Sequence, residues 1–248
     1  MSGRVKAHAA KIDQLMEQAS AELAATRAFE AERTAVEALR LAHQSQDFNQ
    51  MTRILMPLQE ARRLRRQQAC DVKKVHRVST YEALESLLNG SVALKPGCYL
   101  LEPPLVGADA RELRERGLAE RIPVLVVARE PETRLGQWPV VTVGPLTVRT
   151  RLAPPKKLDA SWIQAAAEAI GEAAIAQLDP EESAESRVEH AMDLLAAVVD
   201  HERLHQVVRS ICEEAHRDAV EFAARPLSRR KQAKRDEEEL ESLGDADL

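Results

Sequence analysis

Aromatic residues are scarce in this chain: its 248 residues include two Trp, two Tyr and three Phe. Proteins that grip single-stranded nucleic acid stack bases on aromatic side chains set among basic ones. The basic clusters here, Arg62, Arg63, Arg65 and Arg66, then Lys73 with Lys74, then Arg225 through Arg235, contain no aromatic residue, so nucleic acid is not the expected partner. Nine Gly and twelve Pro are too few for a collagen-like or Gly-rich chain. The three cysteines, Cys70, Cys98 and Cys212, are odd in number and form no CxxC, which speaks against a disulfide framework. Apolar runs such as 124–128 are too short to cross a bilayer. Arg4, Lys6, Lys11 and Asp13 interrupt the segment after Met1 where a secretory signal would need an apolar stretch. The expectation is a cytoplasmic chain with reduced thiols and no membrane insertion.

What is present is an apolar content of 44% in a chain long enough to bury a core without cross-links. The net charge of −5 conceals a division: residues 1–74 carry +4, 75–158 carry +3 and 159–248 carry −12. Fields of opposite sign can dock within one chain or between two.

Residues 8–70 hold one Pro, no Gly and many strong helix formers. Apolar positions recur with the helical period at Ile12, Leu15, Met16, Ala19 and Leu23, at Ala31, Ala35, Ala38, Leu39 and Ala42, and at Met51, Ile54, Leu55 and Leu58. Three helices follow, the third capped by Asp47 and kinked or split at Pro57. From residue 75 the period changes. Short apolar or β-branched stretches at 75–79, 98–102, 122–128, 140–143 and 146–151 alternate at first with helical patterns at 81–88 and 109–121. That alternation predicts right-handed βαβ crossovers and three parallel strands, and Gly144-Pro145 then joins two edge strands. Helix resumes at Asp159, and Asp179-Pro180 reads as the start of the next helix. The fold class is therefore α/β with a large helical part: a small, mostly parallel βαβαβ-type sheet domain (75–153) inserted between helical segments 1–74 and 159–224 that pack together. Residues 225–248, basic and then acidic, read as a flexible tail.

A shift of 153 positions lays Ala31, Ala35, Ala38, Leu39 and Ala42 on Ala184, Val188, Ala191, Met192 and Leu195. The same shift lays Asp47 on Asp200, and Met51, Ile54, Leu55 and Leu58 on Leu204, Val207, Val208 and Ile211. Both segments read helix, capping Asp, helix, and neither hairpin can bury its apolar face alone. Ala31, Ala38-Leu39 and Leu41, preceded by Phe29-Glu30, resemble the second helix of a tetratricopeptide repeat. Leu15 and Ala19 suit that family's first helix, whereas Gln18 and Glu22 stand where it has an apolar and an aromatic residue, and His43-Gln44 replace its terminal Pro. The resemblance covers about a quarter of the chain and implies a helical surface that binds peptides or partner proteins.

Candidate chemistry is sparse. There is no GxGxxG after a strand, no GxxxxGK and no GxSxG. His201-Glu202-Arg203-Leu204-His205 is an HExxH string, resembling the zincin metallopeptidases: two imidazoles at i and i+4 can share a zinc while the carboxylate polarises a water. Arg203 is charged where that family is not, Val208 and Ile211 replace its Gly-x-x-His extension, and no third ligand stands out among Glu213, Glu214, His216 and Glu221. Zinc at His201 and His205, with Glu202 catalytic, is thus the alternative to a chain without a cofactor. Glu102 and Asp109 flank the loop after the expected central strand, where open α/β sheets place ligands. Arg62, Arg63, Arg65 and Arg66 are candidates for a phosphate, with a solvated outer helix face as the plainer explanation. Together these features predict a non-catalytic scaffold or interaction protein that binds a protein partner or itself.

Overall fold

Three helices open the chain in the computed structural model, which describes residues 3–224: α1 (Gly3–Ala24), α2 (Ala28–Gln44) and α3 (Phe48–Asp71). The charged stretch at 225–248 lies outside the described residues. Thr26 and Gln46 take positive φ in the two tight turns between these helices, and the Asp47 carboxylate accepts the Gln50 N–H at the start of α3. Pro57 does not split α3, which runs through it. A ring there costs one backbone bond, but Met51, Ile54, Leu55 and Leu58 are fully buried around it, and tertiary burial of an apolar face outweighs a local defect.

The sheet follows the expected alternation. Strands β1 (Val75–Val78), β2 (Gly97–Leu101) and β3 (Val124–Arg129) are parallel, linked by α4 (Tyr81–Leu88) and α5 (Gly107–Glu120). Then β4 (Trp138–Val143) and β5 (Thr147–Leu152) add an antiparallel hairpin, giving the order β1-β2-β3-β4-β5. Only β5 of that hairpin lies at an edge; β4 pairs on both sides, and the central strand is β3, not β2. Successive side chains divide between two faces. Tyr99, Leu101, Val124 and Ala128 pack with Leu84 of α4 and Ala110 and Leu113 of α5. Cys98, Leu100, Leu125 and Val127 join the larger core of the helical part. Cover on both faces explains why β3 is apolar without alternation.

Three further helices close the chain's described part: α6 (Ala160–Ile175), α7 (Ala184–Ala197) and α8 (Glu202–Ala224). Asp159 caps α6. Asp179-Pro180 does not begin α7: the Asp179 carboxylate turns back to the Glu181 N–H, and Ser183 caps the helix through the Ser186 N–H. Both residues carry short acceptors suited to a cap, and here the later one holds the position.

The shift of 153 carries the end of α2, Gln44, onto the end of α7, Ala197. Buried residues correspond too: Ala35 with Val188, Ala38 with Ala191, Leu55 with Val208 and Leu58 with Ile211. Their arrangement is face to face. Arg62 meets His205 while Arg66 meets Glu202, so α3 and α8 run antiparallel; His43 of α2 also meets Glu189 of α7. Solenoid repeats stack along one direction; here α3 and α8 instead pack against each other in opposite directions. The β4–β5 turn abuts the end of α7, where a β-carbon on Gly144 would come within 2.6 Å of Ala197 Cα and Thr142 Oγ1 donates to the Ala197 carbonyl at 3.0 Å.

Candidate functional site

The HExxH string sits at the start of α8, and its polar atoms are already engaged. His201, not Asp200, caps the helix: its Nδ1 accepts the Leu204 N–H at 3.1 Å. An acceptor Nδ1 carries no proton, which leaves any ring proton of the neutral form on Nε2. That nitrogen is 3.0 Å from Glu168 Oε2, at an angle outside hydrogen-bonding geometry. His205 Nδ1 lies 2.8 Å from the His201 carbonyl and must donate to it, so Nε2 accepts from Arg62 Nη1 at 3.1 Å. Burial, reinforced by the Arg62 charge, pushes the His205 pKa down to about 3. Glu202 pairs with Arg66 Nη2 at 2.9 Å. The lone pairs that would hold zinc and polarise a water thus face a backbone amide and two guanidinium groups. Among the described residues, no three His, Cys, Asp or Glu side chains gather as a metal-ligand set.

Glu102 is buried at the carboxyl end of β2, where it accepts from Arg77 Nε at 2.7 Å and from Arg129 Nη2 at 2.8 Å. Desolvation would raise its pKa, but the hydrogen bonds and charges of both arginines prevail and hold it below the usual carboxylate range. Arg129 also lies over the Trp138 ring, 4.4 Å from its centroid. Asp109 Oδ2 accepts the Val106 N–H at 2.7 Å at the start of α5. The two acids flank one loop but serve different local structures: Glu102 ties three strands together and Asp109 holds a helix terminus.

The four arginines of α3 separate by helical geometry. Arg63 faces outward and pairs with Glu60 one turn away. Arg66 bridges Glu168 of α6 and Glu202 of α8. Arg62 and Arg65 point inward, Arg65 with only 2% of its surface exposed, which corrects the reading of this cluster as a solvated outer face. Between them lies Glu32 of α2, with Oε1 2.9 Å from Arg62 Nε and Oε2 2.9 Å from Arg65 Nε. Arg65 Nη2 reaches Asp200 Oδ1 at 2.6 Å. Burial alone would raise the Glu32 pKa; Arg65 and Arg62 together overcome it and keep the carboxylate ionised. The consecutive helices α2 and α3 are thereby tied to Asp200, remote in sequence, by one internal ionic network.

This network forms the floor of a cleft of about 570 Å³ between α2 and α5, with the end of α7 as its back wall. Phe29, Arg33 and Val36 line the α2 rim; Glu115, Leu118 and Arg121 line the α5 rim. One ion pair, Arg121 to Glu30 at 3.0 Å, spans the two rims. Beside Arg62 and Arg65 the floor holds Arg114 of α5, whose side chain has one hydrogen bond among the described residues, a long one of 3.4 Å to the Ala197 carbonyl. Two of these residues, Glu32 and Arg114, escaped sequence reasoning. Glu32 had a signal, an acid on the apolar stripe of Ala31, Ala35 and Ala38. Arg114 had none, standing between Arg111 and Arg116 on a charged helix.

No family model matches the chain, and no curated protein or solved structure matches it.

Proposed function

We propose that the protein is a non-catalytic interaction protein, a scaffold that binds a partner protein in the cleft between α2 and α5. The observation that supports this reading is the pairing of exposed apolar side chains across the cleft, Val36 at 41% and Leu118 at 42%, above a cationic floor. Apolar anchors filling a desolvated pocket supply most of the energy when one protein surface recognises a segment of another. The likeness of α2 to a peptide-binding repeat helix favours the same use. The basic floor selects a segment that is acidic as well as apolar. Reduced thiols and a cytoplasmic setting belong to the same proposal.

Copurification at low and moderate salt, followed by titration of the recovered partner against purified protein, tests it. The wild type is expected to retain a stoichiometric partner, and a V36E/L118E double variant with an unchanged unfolding midpoint is expected to lose it. A double variant that binds as before, or a wild type that emerges alone at both salts, overturns the proposal.

A further inference from the structure

We infer that the floor of the cleft is an oxyanion site, in which Arg114 takes a carboxylate or phosphoryl group from the ligand. The inference rests on the cleft being the binding face and adds what is recognised there.

Charge accounting at the floor carries it. Arg62 shares Glu32 with Arg65, and Arg65 also holds Asp200. Arg114 makes no ion pair with any carboxylate among the described residues. Three guanidinium groups therefore face two carboxylates, leaving one cation in excess. The rim does not cancel it, because Glu30 there pairs with Arg121 and Glu115 with Arg111. Arg114 is partly buried, and its desolvation together with Arg65 and Arg62 holds its pKa below the usual arginine range despite Asp200 and Glu115. The carboxyl end of α7 offers it about half an elementary charge, through a carbonyl that already accepts from Thr142 at the shorter distance of 3.0 Å. A guanidinium in that position keeps donors unused, in the planar fork that fits a carboxylate or a phosphate. A volume of about 570 Å³ is in the range of sites that enclose a small molecule or an inserted side chain. Val36 and Leu118 then lie where the ligand's apolar part would rest.

The test uses the full chain and three sodium salts, phosphate, acetate and chloride, at one ionic strength. The unfolding midpoint of the wild type should rise saturably with phosphate or acetate beyond the chloride response, and the stronger of the two identifies the source of the oxyanion. R114M should lose that excess at least tenfold in affinity, while R149Q, on the far edge strand, keeps it. If R114M does not fold, R114K serves: it retains the charge, loses the fork, and should bind several-fold more weakly. Three salts acting alike on the wild type, or R114M or R114K binding as the wild type does, overturns the inference. Partner retention without an anion preference sinks the oxyanion site and spares the proposed function; an anion preference without a partner does the reverse.

Discussion

The imidazole of His201 occupies the space a side chain at Gly171 would need: a β-carbon on Gly171 would stand 2.0 Å from the ring's Cγ. Helix α6 accepts glycine mid-helix, at a cost of about 1 kcal/mol relative to alanine, and the ring that fills the gap caps α8. Gly171→Ala is expected to lower stability by about 1–3 kcal/mol in urea unfolding, against the direction of helix propensity, because His201 is 2% exposed and has no room to withdraw. An alanine variant as stable as the wild type contradicts this packing.

Acid sensitivity should begin with His205. Its folded pKa of about 3 lies below the ordinary value of 6.5, so between those limits the unfolded chain binds a proton that the folded one refuses. The stability is complete above pH 6.5 and falls as pH drops towards 3, by about 2 kcal/mol at pH 5. His76, also pushed down by burial, adds in the same direction. Glu32, held below 4.5, contributes only under that pH. Unfolding free energy measured from pH 7 to 4.5 should flatten in His205→Gln, and an unchanged slope rules out this origin.

Much of the fold was legible because its causes are local. Thr80, Asp47 and Asn89-Gly90 end or begin helices through bonds to their own neighbours, and the unbroken apolar runs of β2 and β3 follow from two covered faces. The helices of the two hairpins were readable from apolar period alone. Their antiparallel placement was not, since it depends on partners such as Arg65 and Asp200 that are remote in sequence. The HExxH string was visible as letters, but which nitrogen faces which donor is decided by α3, whose Arg62 occupies His205 Nε2. Arg114 became distinctive only when α5 was seen beside α2.

Arg65 and Arg63 are two positions apart on α3 yet should differ widely. Arg65→Met strands Asp200 and leaves Glu32 with Arg62 alone, which is expected to cost about 3–5 kcal/mol. Arg63→Met removes an exposed pair and should stay within about 0.5 kcal/mol. Parallel urea titrations compare them; equal losses refute the internal role of Arg65.

All three thiols are buried, and burial pushes the Cys212 pKa up to about 12. A thiol-specific disulfide reagent should therefore modify none of them rapidly in the native state and all three in denaturant. Fast native labelling of Cys70, Cys98 or Cys212 contradicts the packing described.

Zinc should not stabilise the protein. A metal at His205 Nε2 must displace Arg62, which would then be buried without that partner. Micromolar zinc in tenfold excess is expected to leave the unfolding midpoint unchanged, and metal analysis of protein purified without a nickel column should find less than about a tenth of an equivalent. A midpoint rise that vanishes in His205→Gln overturns this expectation.

The antiparallel seam between α3 and α8 also sets a schedule. A ribosome completes α3 at Asp71 but starts α8 only at Glu202, after the whole sheet has been synthesised. Until then the stripe of α3 that carries Arg62, Arg65 and Arg66 lacks the partners it finally meets at His205, Asp200 and Glu202. Translation that stops short of Glu202 leaves that stripe wetted, a substrate for chaperones and a seed for aggregation.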